Sequence, residues 1–268
     1  MHAPRCELTE QPAKDLIPEV VRAAGDNLAR VRDRIPRVHC ITNTVAQSFT
    51  ANMLLALGAV PSMTIAPEEI AAFVARADAL VVNLGTLDAA RREACGIAIE
   101  KASEAGTPWV LDPVFIDRSQ PRAAFAKALL SRHPRAIRLN AAEFATLAGF
   151  DAGDAKLRAF AREYETVIGL TGARDIVDDG RRHTAIANGD ALMAKVTAMG
   201  CAASAIVAAC LAVDDDPWRA TASALMILGV AGEIAASRAR GPGSFAVEII
   251  DALYLLDRSS LAKRARDH

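Results

Sequence analysis

Between residues 79 and 172 four short apolar runs alternate with segments of helical length, and few folds accommodate that pattern. The runs are 79–84, 109–113, 136–140 and 166–172. The segments between them extend from Asp88 to about Glu104, over 121–132, and onward from Ala141. The runs show little polar alternation, so each reads as a strand buried on both faces. Strands of that kind joined by helices build a parallel sheet covered on both sides. Upstream, 38–41 reads as a short strand followed by Thr42-Asn43-Thr44, which are capping residue types. A helix from Gln47 to Leu57 stops at Gly58, 60–65 reads extended, and Pro67-Glu68-Glu69 opens a helix with proline and acids in its first turn. Residues 13–34 are amphipathic at helical spacing.

Beyond residue 172 the pattern changes. The segments 176–180 and 183–187 flank a turn containing Asp179-Gly180, a hairpin signature. From residue 201 the chain reads as helical over 201–213, 217–239 and 245–262. The expected fold class is α/β, with a mostly parallel central sheet, helices on both faces and an antiparallel edge hairpin. No repeat, linker or low-complexity segment interrupts residues 1–268, so one domain is expected.

Charge and cysteine usage narrow the partners. The formal net charge is −1, which gives no broad basic face for nucleic acid or an acidic membrane. The five cysteines (Cys6, Cys40, Cys95, Cys201, Cys210) form no C-x-x-C and are odd in number, a reduced, cytoplasmic pattern. Residues 1–20 carry charges throughout, so no secretory signal is expected. The five histidines lack metal-ligand spacing.

The chemistry concentrates around residues 195–210. A short polar loop ends in Gly200-Cys201, and an unbroken small and apolar segment follows. That segment is too short for a membrane span, which needs about 18 to 20 apolar residues. It reads as a buried helix whose free N–H groups and positive dipole end make an anion site. Cys201 then sits in the first turn, where a thiol's pKa is expected to fall below about 8.5. In open parallel sheets ligands bind at the carboxyl ends of the strands. Those positions hold Asn83 to Thr86, Asp112, Arg138, Asn140, Glu143, Thr171-Gly172 and the 197–201 loop. Two carboxylates, an arginine, hydroxyls and a helix N-terminus suit a nucleoside triphosphate with Mg²⁺. No Walker A sequence and no G-x-S-x-G elbow occurs.

Taken in order, Val38-His39-Cys40-Ile41-Thr42-Asn43, the stretch from Phe49 to Ala59, Asn83-Leu84-Gly85-Thr86-Leu87 and Leu111-Asp112-Pro113-Val114 closely resemble the hydroxyethylthiazole kinases. Asn140-Ala141-Ala142-Glu143, Thr171-Gly172, the Gly200-Cys201 helix and Gly241-Pro242-Gly243-Ser244-Phe245 complete the resemblance, which covers about residues 15–256. These are the thiamine-salvage members of the ribokinase-like superfamily. The resemblance implies a ribokinase-like three-layer sandwich. It also implies ATP- and Mg²⁺-dependent phosphorylation of 5-(2-hydroxyethyl)-4-methylthiazole at its side-chain hydroxyl, by a homotrimer that holds the thiazole between subunits. By matching position, Met63 and Ala198 would line the thiazole site, with Asn43 in the same pocket. Arg138 and Thr171 would contact ATP, with Asn140 and Thr197 beside them, and Asp112 and Glu143 would serve the metal. Gly200 and Cys201 would form the catalytic turn, Cys201 standing where many relatives place an aspartate base.

The sequence departs from the family at three places. A glycine-rich run is replaced by Phe115-Ile116-Asp117-Arg118, a glycine by Leu139, and Thr-Gly-x-Gly-Cys by Thr197-Ala198-Met199-Gly200-Cys201. Where such a position needs φ > 0, a side chain costs about 1 kcal/mol or more. Bulk at Phe115 and Leu139 is expected to compete with phosphates for space. Two alternatives stand beside this reading: a related kinase acting on a hydroxymethylpyrimidine, against which the Thr42-Asn43 and Phe49-to-Gly58 stretches argue, and a thiazole or nucleotide binder with weak turnover, which the three departures motivate.

Overall fold

The computed structural model describes residues 16–265. Its sheet contains β1 (Arg37–Ile41), β2 (Val60–Ser62), β3 (Ala79–Asn83), β4 (Trp109–Asp112), β5 (Ala136–Asn140), β6 (Val167–Thr171), β7 (Asp175–Asp178) and β8 (His183–Ile186). They lie in the order β2-β1-β3-β4-β5-β6-β7-β8. Pairings from β2 through β6 are parallel; β6–β7 and β7–β8 are antiparallel. The expected parallel sheet with an edge hairpin is therefore present.

Side-chain alternation divides the core into two layers. On β3, Ala79 and Val81 join one cluster while Leu80 and Val82 join the other. The first layer packs under α1 (Ile17–Arg34), α2 (Gln47–Leu57), α8 (Met199–Leu211), α9 (Pro217–Ala236), α10 (Pro242–Leu255) and α11 (Arg258–Arg264). The second packs under α3 (Pro67–Val74), α4 (Ala89–Ala105), α5 (Gln120–Leu130), α6 (Ala141–Ala148) and α7 (Asp154–Glu163). Every residue of α8 except Gly200 is buried. Its alanines bring it close to the sheet and to α2 and α9, and its first turn rests on the ends of β3 and β4. Helix α9 is long and apolar enough to cross a membrane, yet it is buried inside the protein along most of its length.

Several element boundaries differ from the sequence reading. The extended stretch 60–65 forms a strand only to Ser62, and the helix expected over 217–239 ends at Ala236. The helix expected over 245–262 is two. Leu256 turns extended and buries its side chain, and Asp257 caps α11 by accepting from the Ser260 N–H at 2.7 Å. An aspartate gains more as a cap than inside a helix. Asn43 does not cap α2, whose cap position is Ala46; its Oδ1 accepts the Ala46 N–H at 3.0 Å in the preceding turn. Helix α8 begins two residues earlier than 201, at Met199. Cys6 and the charged segment before Leu16 lie outside the described residues.

Candidate active site

The parallel strands deliver their last residues to one rim. Asn83 pairs with Asp112 across β3–β4, and Asn140 pairs with Thr171 across β5–β6. Asn83 is the hub of this rim. Its Nδ2 donates to Asp112 Oδ2 at 2.7 Å and to Cys201 Sγ at 3.2 Å. Its Oδ1 accepts from the Gly85 N–H at 3.0 Å and from Asn43 Nδ2 at 3.3 Å. Asn43 Nδ2 also lies 3.4 Å from Cys201 Sγ. One turn along α8, Ser204 donates to Asp112 Oδ2 at 2.9 Å. Its hydroxyl also lies 3.3 Å from the Gly200 carbonyl, and the shorter bond to the carboxylate takes the single hydrogen.

Asp112 is fully buried, and its second oxygen, Oδ1, has no hydrogen-bond partner. Arg138 Nη1 stands 3.9 Å from it. Burial pushes the Asp112 carboxyl up to about 6; Arg138 draws it down and the nearby Glu143 pushes it up. Glu143 has both oxygens engaged: Oε1 accepts the Phe115 N–H at 3.0 Å and Oε2 the Asn140 N–H at 2.9 Å. In return Asn140 Oδ1 accepts the Glu143 N–H at 2.9 Å, completing a capping box on α6. Glu143 therefore ties the loop after β4 to the start of α6. Among the described residues no group of three or more His, Cys, Asp and Glu side chains converges as a metal site.

Arg138 reaches across from β5, and its Nη2 donates to Thr171 Oγ1 at 2.6 Å. Its guanidinium lies close against Gly200, where an added Cβ would sit 2.5 Å from Nη1. Only glycine permits that approach. Ala198, at the cap position of α8, has φ 68° and offers no side-chain cap, so the first-turn N–H groups stay free of intrahelical partners. Two cavities meet at Arg138, Asn140 and Gly200. The smaller, about 530 Å³, is lined also by Asn43, Glu143, Thr197, Ala198 and Cys201. The larger, about 690 Å³, is lined also by Thr171, Asp175, Lys195, Leu225 and Leu228. Both are sized for small molecules.

The structure thus brings Asn43, Arg138, Asn140, Glu143, Thr171, Thr197, Ala198, Gly200 and Cys201 to adjoining cavities, with Asp112 buried behind them. Met63 stands apart. It follows edge strand β2, packs against the α2–α8 layer, and is not among the residues lining either cavity. The Cys201 thiol also differs from expectation. Burial pushes it up to about 12, the Asp112 charge adds to the rise, and the amides of Asn43 and Asn83 only partly offset it. Desolvation outweighs the helix terminus, so the group is a neutral thiol. Leu139 is fully buried in the second core layer and takes no space at the rim. Phe115, by contrast, is 55% exposed at the cavity mouth with φ 55°. Phe115 and Ala198, where the resemblance implies glycine, are therefore both left-handed here. Strand-end position places Asn83 at the rim in the sequence without giving it a role, and Ser204 is not legible there as a site residue. The available signals were the place of Asn83 at the end of β3, level with Asp112, and the spacing of Ser204 three residues after Cys201.

The model of the hydroxyethylthiazole kinase family matches residues 28–259. A hydroxyethylthiazole kinase of Pectobacterium carotovorum is 44% identical over 252 residues, covering 89% of this chain and 96% of the relative. A probable hydroxyethylthiazole kinase of Agrobacterium fabrum is also 44% identical, over 93% of this chain and 96% of its own length. Among solved structures, hydroxyethylthiazole kinase from Pyrococcus horikoshii superposes with a TM-score of 0.88 at 39% identity, covering 92% of this chain and 98% of that one. A ribokinase-like superfamily protein of Enterococcus faecalis, at 16% identity and a TM-score of 0.65, covers 87% of this chain and 88% of its own and shares the fold. By its family match over residues 28–259, its identity to these kinases and its superposition on one of them, the chain belongs to the hydroxyethylthiazole kinase family.

Proposed function

We propose that this chain transfers the terminal phosphoryl group of ATP to the side-chain hydroxyl of 5-(2-hydroxyethyl)-4-methylthiazole, as one kinase domain spanning residues 1–268. The observation that carries the reading is the junction of the two cavities, where Arg138 and the free amides of the α8 first turn converge with Asp112 buried 3.9 Å behind the guanidinium. ATP would occupy the larger cavity, with Thr171 and Asn140 as contacts and its phosphates reaching Arg138 at the junction, beside Thr197 of the smaller cavity. The thiazole would occupy the smaller one, near Asn43 and Ala198.

The donor set fits a divalent cation. Asp112 Oδ1 is a buried carboxylate oxygen without a partner, and Mg²⁺ favours one or two carboxylates plus phosphate oxygens. Asp112 would hold the ion with Glu143 beside it; when bound, Mg²⁺ neutralises charge on the β- and γ-phosphates. Arg138 contributes fixed positive charge, and its bond to Thr171 keeps the guanidinium at the junction. The N–H groups of Met199, Gly200 and Cys201 receive charge that develops on the transferred group. Cys201 accepts N–H bonds from Asn43 and Asn83, which leaves its S–H to orient the substrate hydroxyl. Phosphoryl transfer has a loose transition state, so orientation matters more than early proton removal.

A homotrimer accounts for Met63. Leu55 of α2, Val60 of β2 and Val247 of α10 are exposed on neighbouring elements, and a second copy covering them would bring Met63 to a thiazole held between subunits. The described cysteines, Cys40, Cys95, Cys201 and Cys210, are free thiols, in keeping with a cytoplasmic protein. The experiment is ADP release on a substrate panel. Turnover with hydroxyethylthiazole, dependent on Mg²⁺, and not with a hydroxymethylpyrimidine is expected. The reverse preference refutes the substrate, and ATP binding without ADP release refutes the enzyme.

A further inference from the structure

We infer that His39 is a positioning residue for thiazole binding: its ring braces the backbone of residues 62–64 from behind and so fixes where Met63 stands. The inference rests on the proposed contact between Met63 and the thiazole. His39 is fully buried on β1 and pairs with Ser62 across the parallel β1–β2 ladder, which puts both side chains on one face. Its Nδ1 lies 2.8 Å from Ser62 Oγ and its Nε2 3.1 Å from the Thr64 carbonyl. A carbonyl only accepts, so Nε2 carries the hydrogen and Nδ1 accepts from the Ser62 hydroxyl.

One neutral ring therefore grips the residue before Met63 and the residue after it. The grip matters because β2 is three residues long, stands at the sheet edge and ends at Ser62. Past that point the ladder no longer holds the chain. Thr64 is tied onward through its hydroxyl to Glu69, and the Ala66 N–H reaches the same hydroxyl at 3.3 Å. The Phe73 ring, 5.9 Å from the imidazole, backs the brace from α3. Met63 turns to the opposite face, into the layer that holds Cys40 and α8. His39 never reaches the cavities; it acts through the backbone it holds.

The test compares the full-length wild-type chain with Ser62→Ala, His39→Gln and His39→Ala. ADP-release kinetics give KM for hydroxyethylthiazole and for ATP, and amide hydrogen exchange follows residues 62–66. Losing one bond in Ser62→Ala should raise the thiazole KM about fivefold, and losing both in His39→Ala should raise it about 25-fold. The KM for ATP should stay within twofold, exchange over 62–66 should quicken, and His39→Gln, which can donate to Thr64 and accept from Ser62, should recover much of the loss. Ser62→Ala keeps the imidazole in place, so it remains informative if His39→Ala folds poorly. A thiazole KM unchanged in Ser62→Ala overturns the inference whether or not 62–66 exchanges faster, as does an equal rise in both KM values. A wild-type chain that makes no ADP with hydroxyethylthiazole refutes the functional reading first, and this inference with it.

Discussion

Gly200→Ala places one methyl group against the cation at the cavity junction. The added Cβ would stand 2.5 Å from Arg138 Nη1 and 3.0 Å from its Cζ and Nη2. Ordinary carbon contacts begin near 3.5 Å, so the guanidinium must retreat by about 1 Å. Its 2.6 Å bond to Thr171 does not survive that movement. A hydrogen bond to a charged group contributes about 1.5–3 kcal/mol. Alanine in a helical position recovers at most about 1 kcal/mol relative to glycine, so the fold loses roughly 0.5–2 kcal/mol. Activity should fall much further than folding does. If Arg138 stabilises the transition state through that geometry, 1.5–3 kcal/mol corresponds to about 10- to 150-fold in kcat/KM for ATP. The assay is steady-state ADP release beside a urea titration, with Arg138→Ala and the double variant completing a cycle. Once the arginine is absent the methyl meets nothing charged, so the second substitution should add little. Full ATP kcat/KM in Gly200→Ala, or simple additivity in the cycle, would refute the reasoning.

Ala198→Gly should stabilise the protein. A left-handed residue other than glycine costs about 1–2 kcal/mol, and glycine's extra unfolded-state entropy returns about 0.4–1 kcal/mol of that. The net gain is about 0.5–1 kcal/mol, or roughly 1–4 °C in Tm for a chain of this size, and an unchanged or lower Tm would remove strain from Ala198. Cys201 should alkylate with iodoacetamide at pH 8 at least about 100-fold more slowly than free cysteine, because burial holds its thiol near 12; rapid labelling would show a thiolate. Cys201→Ala should lower kcat about tenfold while leaving the KM for ATP unchanged, an effect below the usual general-base range. Burial lowers His39 to about 4 from an ordinary 6.5. The unfolded chain therefore gains a proton that the folded one refuses, and stability falls as pH drops from about 6.5 toward 4. By pH 5 the loss from this group is about 2 kcal/mol; urea titrations at pH 7.5 and 5 should show it in the wild type and show it reduced in His39→Gln.

Strong local patterns made the sheet legible. The runs around Val81, Leu111, Ile137 and Ile168 show little polar alternation, and Asp179-Gly180 marks the hairpin. Edges carried less information. β2 needs only three residues because β1 supplies its ladder, and the hold on 62–64 comes from a histidine 23 residues upstream of Ser62. The break at Leu256 depends on a cap outcompeting helix continuation, a contest of a kilocalorie or so that apolar spacing does not report. At the rim, strand-end logic found Asp112, Arg138 and Glu143. It could not show that Glu143 spends both oxygens on backbone amides, nor that Asn83 joins Asp112 to Cys201. The thiol's pKa was misjudged because helix position is visible in sequence and desolvation is not. Met63 became visible only through the family resemblance, since an edge residue packed on a core layer has no local signature of binding.

The most direct measurement is a product balance: mass spectrometry of the thiazole together with quantified ADP, for the wild-type chain and Arg138→Ala, with Mg²⁺ present. One thiazole phosphate should form for each ADP released, and Arg138→Ala should slow both equally without unfolding the protein. ADP produced with no thiazole phosphate, or full turnover with Arg138 removed, would contradict a phosphoryl-transfer site where α8 meets β4 and β5.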